Sequence, residues 1–231
     1  MENKKKMENK NTIKGIGLAA ILGAASLMPS TAEAISGGIR RVQSIDHEGS
    51  KVTNNSYPEL QMGYGLPFGV GGFTFLDFYG NKVGYFGKTA LEKNIIEGVG
   101  VRTQIVHSNQ AYGQQGFGLK ANIPHLPKGI SAKVYFMPAW TDQKGKNVKD
   151  KKMAGFSASA KLPLEFNLST YGEWNTQTRQ WSYGEIELGR QIKLGNNESI
   201  ILSYNPALKN HGDMSPILEH RVALQIPFGG K

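Results

Sequence analysis

Two runs decide how the chain is read: Gly98-Val-Gly-Val-Arg-Thr-Gln-Ile-Val-His107 and, after a short polar break, Gly116-Phe-Gly-Leu-Lys-Ala-Asn-Ile123. In the first, Val99, Val101, Thr103 and Ile105 share one face, and Gly98, Gly100, Arg102 and Gln104 share the other. In the second, Phe117, Leu119, Ala121 and Ile123 oppose Gly116, Gly118, Lys120 and Asn122. Side chains alternate between faces with period two only along a β-strand.

Working outward, the same alternation recurs. Ile130, Ala132, Val134 and Phe136 oppose Ser131, Lys133 and Tyr135, and Ala154, Phe156, Ala158, Ala160 and Leu162 oppose Gly155, Ser157, Ser159 and Lys161. Ile186 and Leu188 oppose Glu185 and Glu187, and Val222, Leu224, Ile226 and Phe228 oppose Arg221, Ala223 and Gln225. Weaker patterns at Tyr57–Leu66, Val70–Gly80, Phe166–Asn175 and Ser199–Asn205 bring the number of expected strands to ten. The expected class is all-β.

Alternation fits two environments. In a soluble sandwich the apolar face is the core; in a membrane barrel it meets lipid and the polar face lines the interior. Three features favour the barrel. The runs are long compared with the five or six residues usual in globular strands, and tilted spanning strands need about 9–11. The polar face is rich in Gly, Ser, Lys, Arg and Glu. Connections also alternate in length: Pro124–Gly129, Pro163–Glu165 and Lys193–Glu198 are short, whereas Asp142–Lys152 and Pro206–Pro216 are long and polar. That asymmetry belongs to outer-membrane barrels. Asn81–Lys93 breaks the pattern, being long on the short-turn side, and is expected to hide another strand around Val83–Phe86. The expected architecture is a transmembrane antiparallel up-and-down β-barrel of 10–12 strands occupying residues 57–231.

The beginning of the chain reads as a targeting segment. Lys4, Lys5, Lys6, Lys10 and Lys14 form a positive region, Ile16–Met28 is apolar, and Ala32-Glu33-Ala34 is a small-residue cleavage pattern after Pro29. These are the marks of a secretory signal peptide. Residues 1–34 are therefore expected to be removed near Ala34, with 35–56 an N-terminal segment before the barrel. The expected location is the bacterial outer membrane. Without the signal, the charge of +9 falls to about +7, scattered without the block of basic residues that marks a nucleic-acid patch. The chain has no cysteine, so an exported form is held by burial and hydrogen bonds alone.

Aromatic residues gather near expected strand ends: Tyr57, Tyr64, Phe68, Phe78, Tyr79, Trp140, Trp174 and Trp181. They suit interfacial girdles. Gly63, Gly65, Gly69, Gly71 and Gly72 flank the first expected hairpin, where glycine permits curvature or close backbone approach.

No nucleophile elbow, zinc-binding helix, phosphate loop or metal-spaced cluster occurs, so no enzyme activity, cofactor or metal is expected. His220, Ser203 and Glu219 are the nearest approach to a hydrolytic set, but Glu219 and His220 point to opposite faces of one strand. The chemistry lies on the polar face. Arg102, Lys120, Lys133, Lys161 and Arg221 point inward there, with Glu173, Glu185 and Glu187 and with Tyr135, Tyr171 and Tyr183. A lumen carrying charged and aromatic groups suits a small polar solute; it suits equally a plugged barrel whose inward charges pair with one another.

Several stretches resemble the nucleoside-specific channel-forming outer-membrane proteins, the Tsx-like porins: Gly72-Phe-Thr-Phe-Leu-Asp-Phe-Tyr-Gly80, Gly116-Phe-Gly-Leu-Lys-Ala-Asn-Ile-Pro124, Ser169-Thr-Tyr-Gly-Glu-Trp174 and the closing strand to Phe228. The resemblance extends over about residues 60–228. It implies a monomeric twelve-stranded barrel with a narrow pore for nucleosides or similar solutes, two strands more than the alternation displays. The expected function is a channel for small polar solutes, with outer-membrane lipid and the solute as partners and no nucleic-acid polymer. The alternatives are a structural or adhesive barrel that binds through its long loops, and a lipid-modifying barrel enzyme.

Overall fold

The computed structural model describes residues 34–48, 51–79, 84–108, 113–195, 198–210 and 216–229. The expected signal peptide lies outside the described residues, apart from Ala34. Twelve strands follow one another: β1 (Ala34–Glu48), β2 (Lys51–Leu66), β3 (Val70–Tyr79), β4 (Gly84–Ile96), β5 (Val99–Ser108), β6 (Gly113–Asn122), β7 (Ile130–Asp142), β8 (Met153–Lys161), β9 (Phe166–Asn175), β10 (Gln180–Gly195), β11 (Glu198–Lys209) and β12 (Ile217–Gly229). Each pairs antiparallel with its neighbours in sequence, and β1 pairs with β12 from Ser36↔Gly229 to Glu48↔Ile217, closing the barrel. Closure removes the unpaired edges that hydrocarbon cannot solvate.

Ten of these strands are those the alternation marks. The two additional ones are β1, with the first part of β2 in the segment 35–56, and β4, which accounts for the long stretch after Asn81. With β4 in place every hairpin alternates correctly. One end of the barrel carries the start of β1, the end of β12 and the turns at 67–69, 97–98, 123–129 and 162–165; the other carries the connection at 143–152.

The outer surface is apolar. On β5 and β6, Val99, Ile105, Phe117 and Leu119 face outward and are exposed, while Arg102, Gln104 and Lys120 face inward and are buried. On β12, Val222, Leu224 and Ile226 are exposed, while Arg221 and Ala223, which alternate with them, are buried. Apolar-out, polar-in alternation on a closed sheet is the transmembrane arrangement.

Pairs of rings sit on the outer face towards the loop end. Trp174 and Trp181 meet edge-on at 5.5 Å, Phe156 joins Trp181 at 6.4 Å, and Tyr85 lies beside His107 at 5.8 Å. Tyr204 stacks on His220 and bonds its Nδ1 at 2.7 Å. Two members of the expected girdle are elsewhere. Tyr57 is buried and shares the inward face with Glu59. Trp140 is also buried, because β7 holds one residue more than β6 between Ala139 and Phe136. This bulge falls at Pro138, which donates no ladder hydrogen bond, and it reverses the facing of the residues after it. A second bulge in β10, between Trp181 and Tyr183, leaves Trp181 outside and turns Tyr183 inward. Phe68 sits on the exposed Pro67–Gly69 turn, and the Tyr79 side chain lies outside the described residues.

Leu224→Arg, midway along β12, is expected to cost about 2–4 kcal/mol near the bilayer midplane, and Val134→Arg a comparable or smaller amount. Ser157→Arg, on the inward face, should cost less than either. Urea unfolding in phospholipid vesicles measures all three, and the reverse ranking would overturn the assignment of faces.

Candidate functional site: the charged lumen

Inward side chains from nearly every strand surround a cavity of about 1940 Å³. One side of it is filled by an apolar core of Val106, Tyr135, Met137, Trp140 and Met153, against which Phe86, Val148 and Tyr171 pack. Two glycines make room for this filling. A Cβ on Gly155 would lie 2.1 Å from the Tyr135 ring, and one on Gly116 would lie 2.5 Å from the Trp140 ring. Both rings therefore lie flat across the neighbouring strand instead of standing in the lumen.

Glu173 on β9 is the hub of the interior. Its carboxylate accepts from Lys88 Nζ at 2.8 Å, Gln104 Nε2 at 2.8 Å, Tyr135 Oη at 3.0 Å and Tyr171 Oη at 2.5 Å. Lys88 belongs to β4, so its bond to Glu173 is a crossbar spanning five strand positions around the barrel. Gln104 accepts from Arg102, whose guanidinium lies 4.1 Å over the Tyr135 ring. Arg102 also binds Glu92 on β4, as does Lys133 Nζ at 2.9 Å. A buried ion pair is favourable only where its remaining lone pairs and protons are also satisfied, and Glu173 meets that condition.

Two further clusters lie on the other side. Arg40 Nη1 donates to Glu59 at 3.1 Å, and its Nη2 donates to Glu187 at 2.7 Å and to Ser203 Oγ at 2.8 Å. Arg221 binds Glu219, donates to Tyr183 Oη at 3.1 Å and stands 3.6 Å from Glu185. Lys209 joins Glu219 at 2.8 Å. The rings of Tyr171 and Tyr183 are 6.0 Å apart, and those of Phe75 and Phe86 are 5.9 Å apart.

Of the eleven residues the alternation points inward, Arg102, Lys133, Tyr171, Glu173, Tyr183, Glu185 and Arg221 line the cavity. Lys120 stands beside Glu92, Tyr135 is bonded behind Glu173, and Glu187 holds Arg40. Lys161 is not gathered in: it is the exposed last residue of β8, where the strand has run past the cluster. Sequence reasoning misses Arg40, Glu59, Lys88 and Glu92, all on β1, β2 and β4. Phe86, Lys88, Ala90 and Glu92 do alternate with Tyr85, Gly87, Thr89 and Leu91, but both sets mix apolar and polar residues. Ser203, Glu219 and His220 form no hydrolytic set. Ser203 accepts from Arg40 inside, Glu219 is held by Arg221 and Lys209, and His220 is outside with Tyr204.

The long connection after β7 turns into the mouth. Val148 N donates to Trp140 O at 2.8 Å, and Lys151 Nζ sits 3.8 Å over the Trp140 ring while bonding Gln114. Burial pulls the Lys151 ammonium down to about 8; the charge of Glu173 opposes this and that of Lys88 adds to it.

No family model matches the chain, and no curated protein matches it in sequence. Solved structures match in shape. The KdgM porin in complex with disordered oligogalacturonate aligns with a TM-score of 0.51 at 9% identity over 83% of this chain and 99% of that one. The NanC porin aligns at 0.50 and 10% identity, over 81% and 98%. The Salmonella typhi outer membrane phospholipase dimer with bound calcium aligns at 0.49 and 11%, over 86% and 93%. At these identities the likeness is one of fold, shared with outer-membrane porins.

Glu173→Gln should destabilise the barrel by about 3–5 kcal/mol, since it leaves Lys88 buried without its carboxylate. Replacing both residues with apolar ones should recover much of that loss. Urea midpoints of the single and double variants test this, and a neutral single variant would deny Glu173 its central place. Lys151 is charged below its pKa and neutral above it. In a lumen that conducts ions, cation conductance should therefore rise between pH 7 and 9, and Lys151→Met should abolish the change.

Proposed function

We propose that the chain is a monomeric outer-membrane channel for small polar solutes, with nucleosides as the class to test first. In this reading it is delivered by a signal peptide cleaved near Ala34, and it needs no cofactor. The observation that carries it is the 1940 Å³ cavity inside a barrel with an apolar exterior. Its wall combines Phe73, Phe75 and Phe86 with Tyr171 and Tyr183, and sets Lys88, Glu185 and Arg221 beside them. Aromatic faces take a planar ring while charged groups fix its polar edge. The resemblance to nucleoside-specific channels supports the same choice. The inward turn of the loop carrying Val148 and Lys151 places those side chains at the proposed passage and leaves them less available to an external partner.

Single-channel conductance of refolded Ile35–Lys231 in a planar bilayer tests the proposal. Steady openings, reduced by micromolar-to-millimolar nucleoside, are expected. Phe86→Ala should weaken that block about 5- to 100-fold, the equivalent of about 1–3 kcal/mol of base stacking, without abolishing openings. A folded, heat-modifiable barrel that never conducts would overturn the channel reading. Openings blocked equally by a sugar of similar size would overturn the nucleoside choice.

A further inference from the structure

At the turn end of the lumen three cations share one carboxylate. Glu92 lies four residues before the end of β4, Arg102 three after the start of β5, Lys120 two before the end of β6 and Lys133 three after the start of β7. Among the described residues, the ion pairs of Arg102, Lys120 and Lys133 all go to Glu92. The next carboxylate, Glu173, is occupied by Lys88. The corner therefore carries two positive charges in excess, with Arg102 and Lys120 buried and Lys133 partly exposed. Uncompensated charge in such a place is costly, and an anion relieves the cost.

Donors are available as well as charge. Arg102 Nε is buried and has no hydrogen-bond partner among the described residues. Lys120 Nζ stands 3.7 Å from Glu92, beyond hydrogen-bond distance. Lys133 is about one third exposed, at 34%. It faces a second cavity of about 450 Å³, whose wall includes Asn122, Ser131 and Ser157. Glu92, Lys133 and Ser157 border both cavities, so the corner stands where they meet.

We propose that this corner binds the anionic group of a small solute, a phosphate or a carboxylate. Lys133 supplies the charge at the cavity wall, Lys120 adds a second positive charge from behind Glu92, and Ser131, Ser157 and Asn122 supply neutral partners. The proposal adds an anionic class of solute to the channel reading and rests on it only for the route by which the solute arrives.

The test is a titration of the refolded, detergent-solubilised protein with inorganic phosphate, followed by phosphorus-31 line broadening. Saturable binding is expected. Lys133→Gln should weaken it at least tenfold, and Lys161→Gln, an exposed lysine at the same end, should leave it unchanged. Glu92→Gln removes the competing carboxylate and should tighten binding several-fold, and heat-modifiability on gels reports whether each variant has folded. Absence of saturable binding in the wild type, equal effects of the two lysine variants, or weaker binding by folded Glu92→Gln would overturn the site. Phosphate binding in a barrel without conductance would sink the channel reading and leave the site standing. Conductance without phosphate binding would do the opposite.

Discussion

Everything in this molecule depends on the ring of backbone hydrogen bonds closing between β1 and β12. Hydrocarbon offers no partner to a free N–H or C=O, so a sheet can span a membrane only when it has no edge. The thirteen residue pairs from Ser36↔Gly229 to Glu48↔Ile217 provide that closure. Once the ring is closed, the side-chain period of two divides the residues into lipid-facing and lumen-facing sets, and a one-residue slip would exchange them. The bulges at Pro138 and before Tyr183 are controlled uses of that rule. Each reverses the facing once, bringing Trp140 and Tyr183 into the lumen.

Charges placed inside a closed barrel must find partners there. The interior answers with hubs in place of isolated pairs: Glu173 gathers donors from β4, β5, β7 and β9, and Arg40 joins β1 to β2, β10 and β11. The interior pairs its charges as a plugged barrel would, and it still encloses a cavity. Most cations are paired, yet the pairing leaves a cavity beside the crossbar and an excess of positive charge around Glu92.

The barrel was legible in the sequence wherever outward residues are mostly apolar and inward ones mostly polar or small. β5, β6, β8 and β12 are of that kind. β1 was hidden because Arg41 and Gln43 face outward after Ile39 while Val42 faces inward, which blurs the contrast between faces. β4 was expected only from the length of its stretch, because Phe86 and Ala90 share the inward face with Lys88 and Glu92 and no alternation of apolar with polar shows. Inward facing was readable for ten of the eleven chosen residues, since it needs only parity. What they touch was not, because contacts such as Lys88 with Glu173 join strands far apart in sequence, and parity carries no information about distance across the lumen. Trp140 was misplaced for the same reason: a bulge changes parity without leaving a sequence mark stronger than one proline.

The filled side of the lumen has a physical role beyond narrowing it. Lipid tails are as apolar as the outward leucines and valines, so those residues gain little by facing one another. Inside the barrel the reference is water, and burying Val106, Met137, Trp140 and Met153 against Phe86 and Val148 supplies the hydrophobic stabilisation that the outer face lacks. The same packing holds Tyr135 in place over Gly155, and Tyr135 in turn orients Glu173 and carries the Arg102 guanidinium. The width of the lumen is then set by side chains and not by strand number alone. A solute moving along the proposed route would meet the crossbar and the aromatic pairs, groups fixed by a core of the ordinary protein kind, so the rigidity of the selective wall and the stability of the barrel come from one set of contacts.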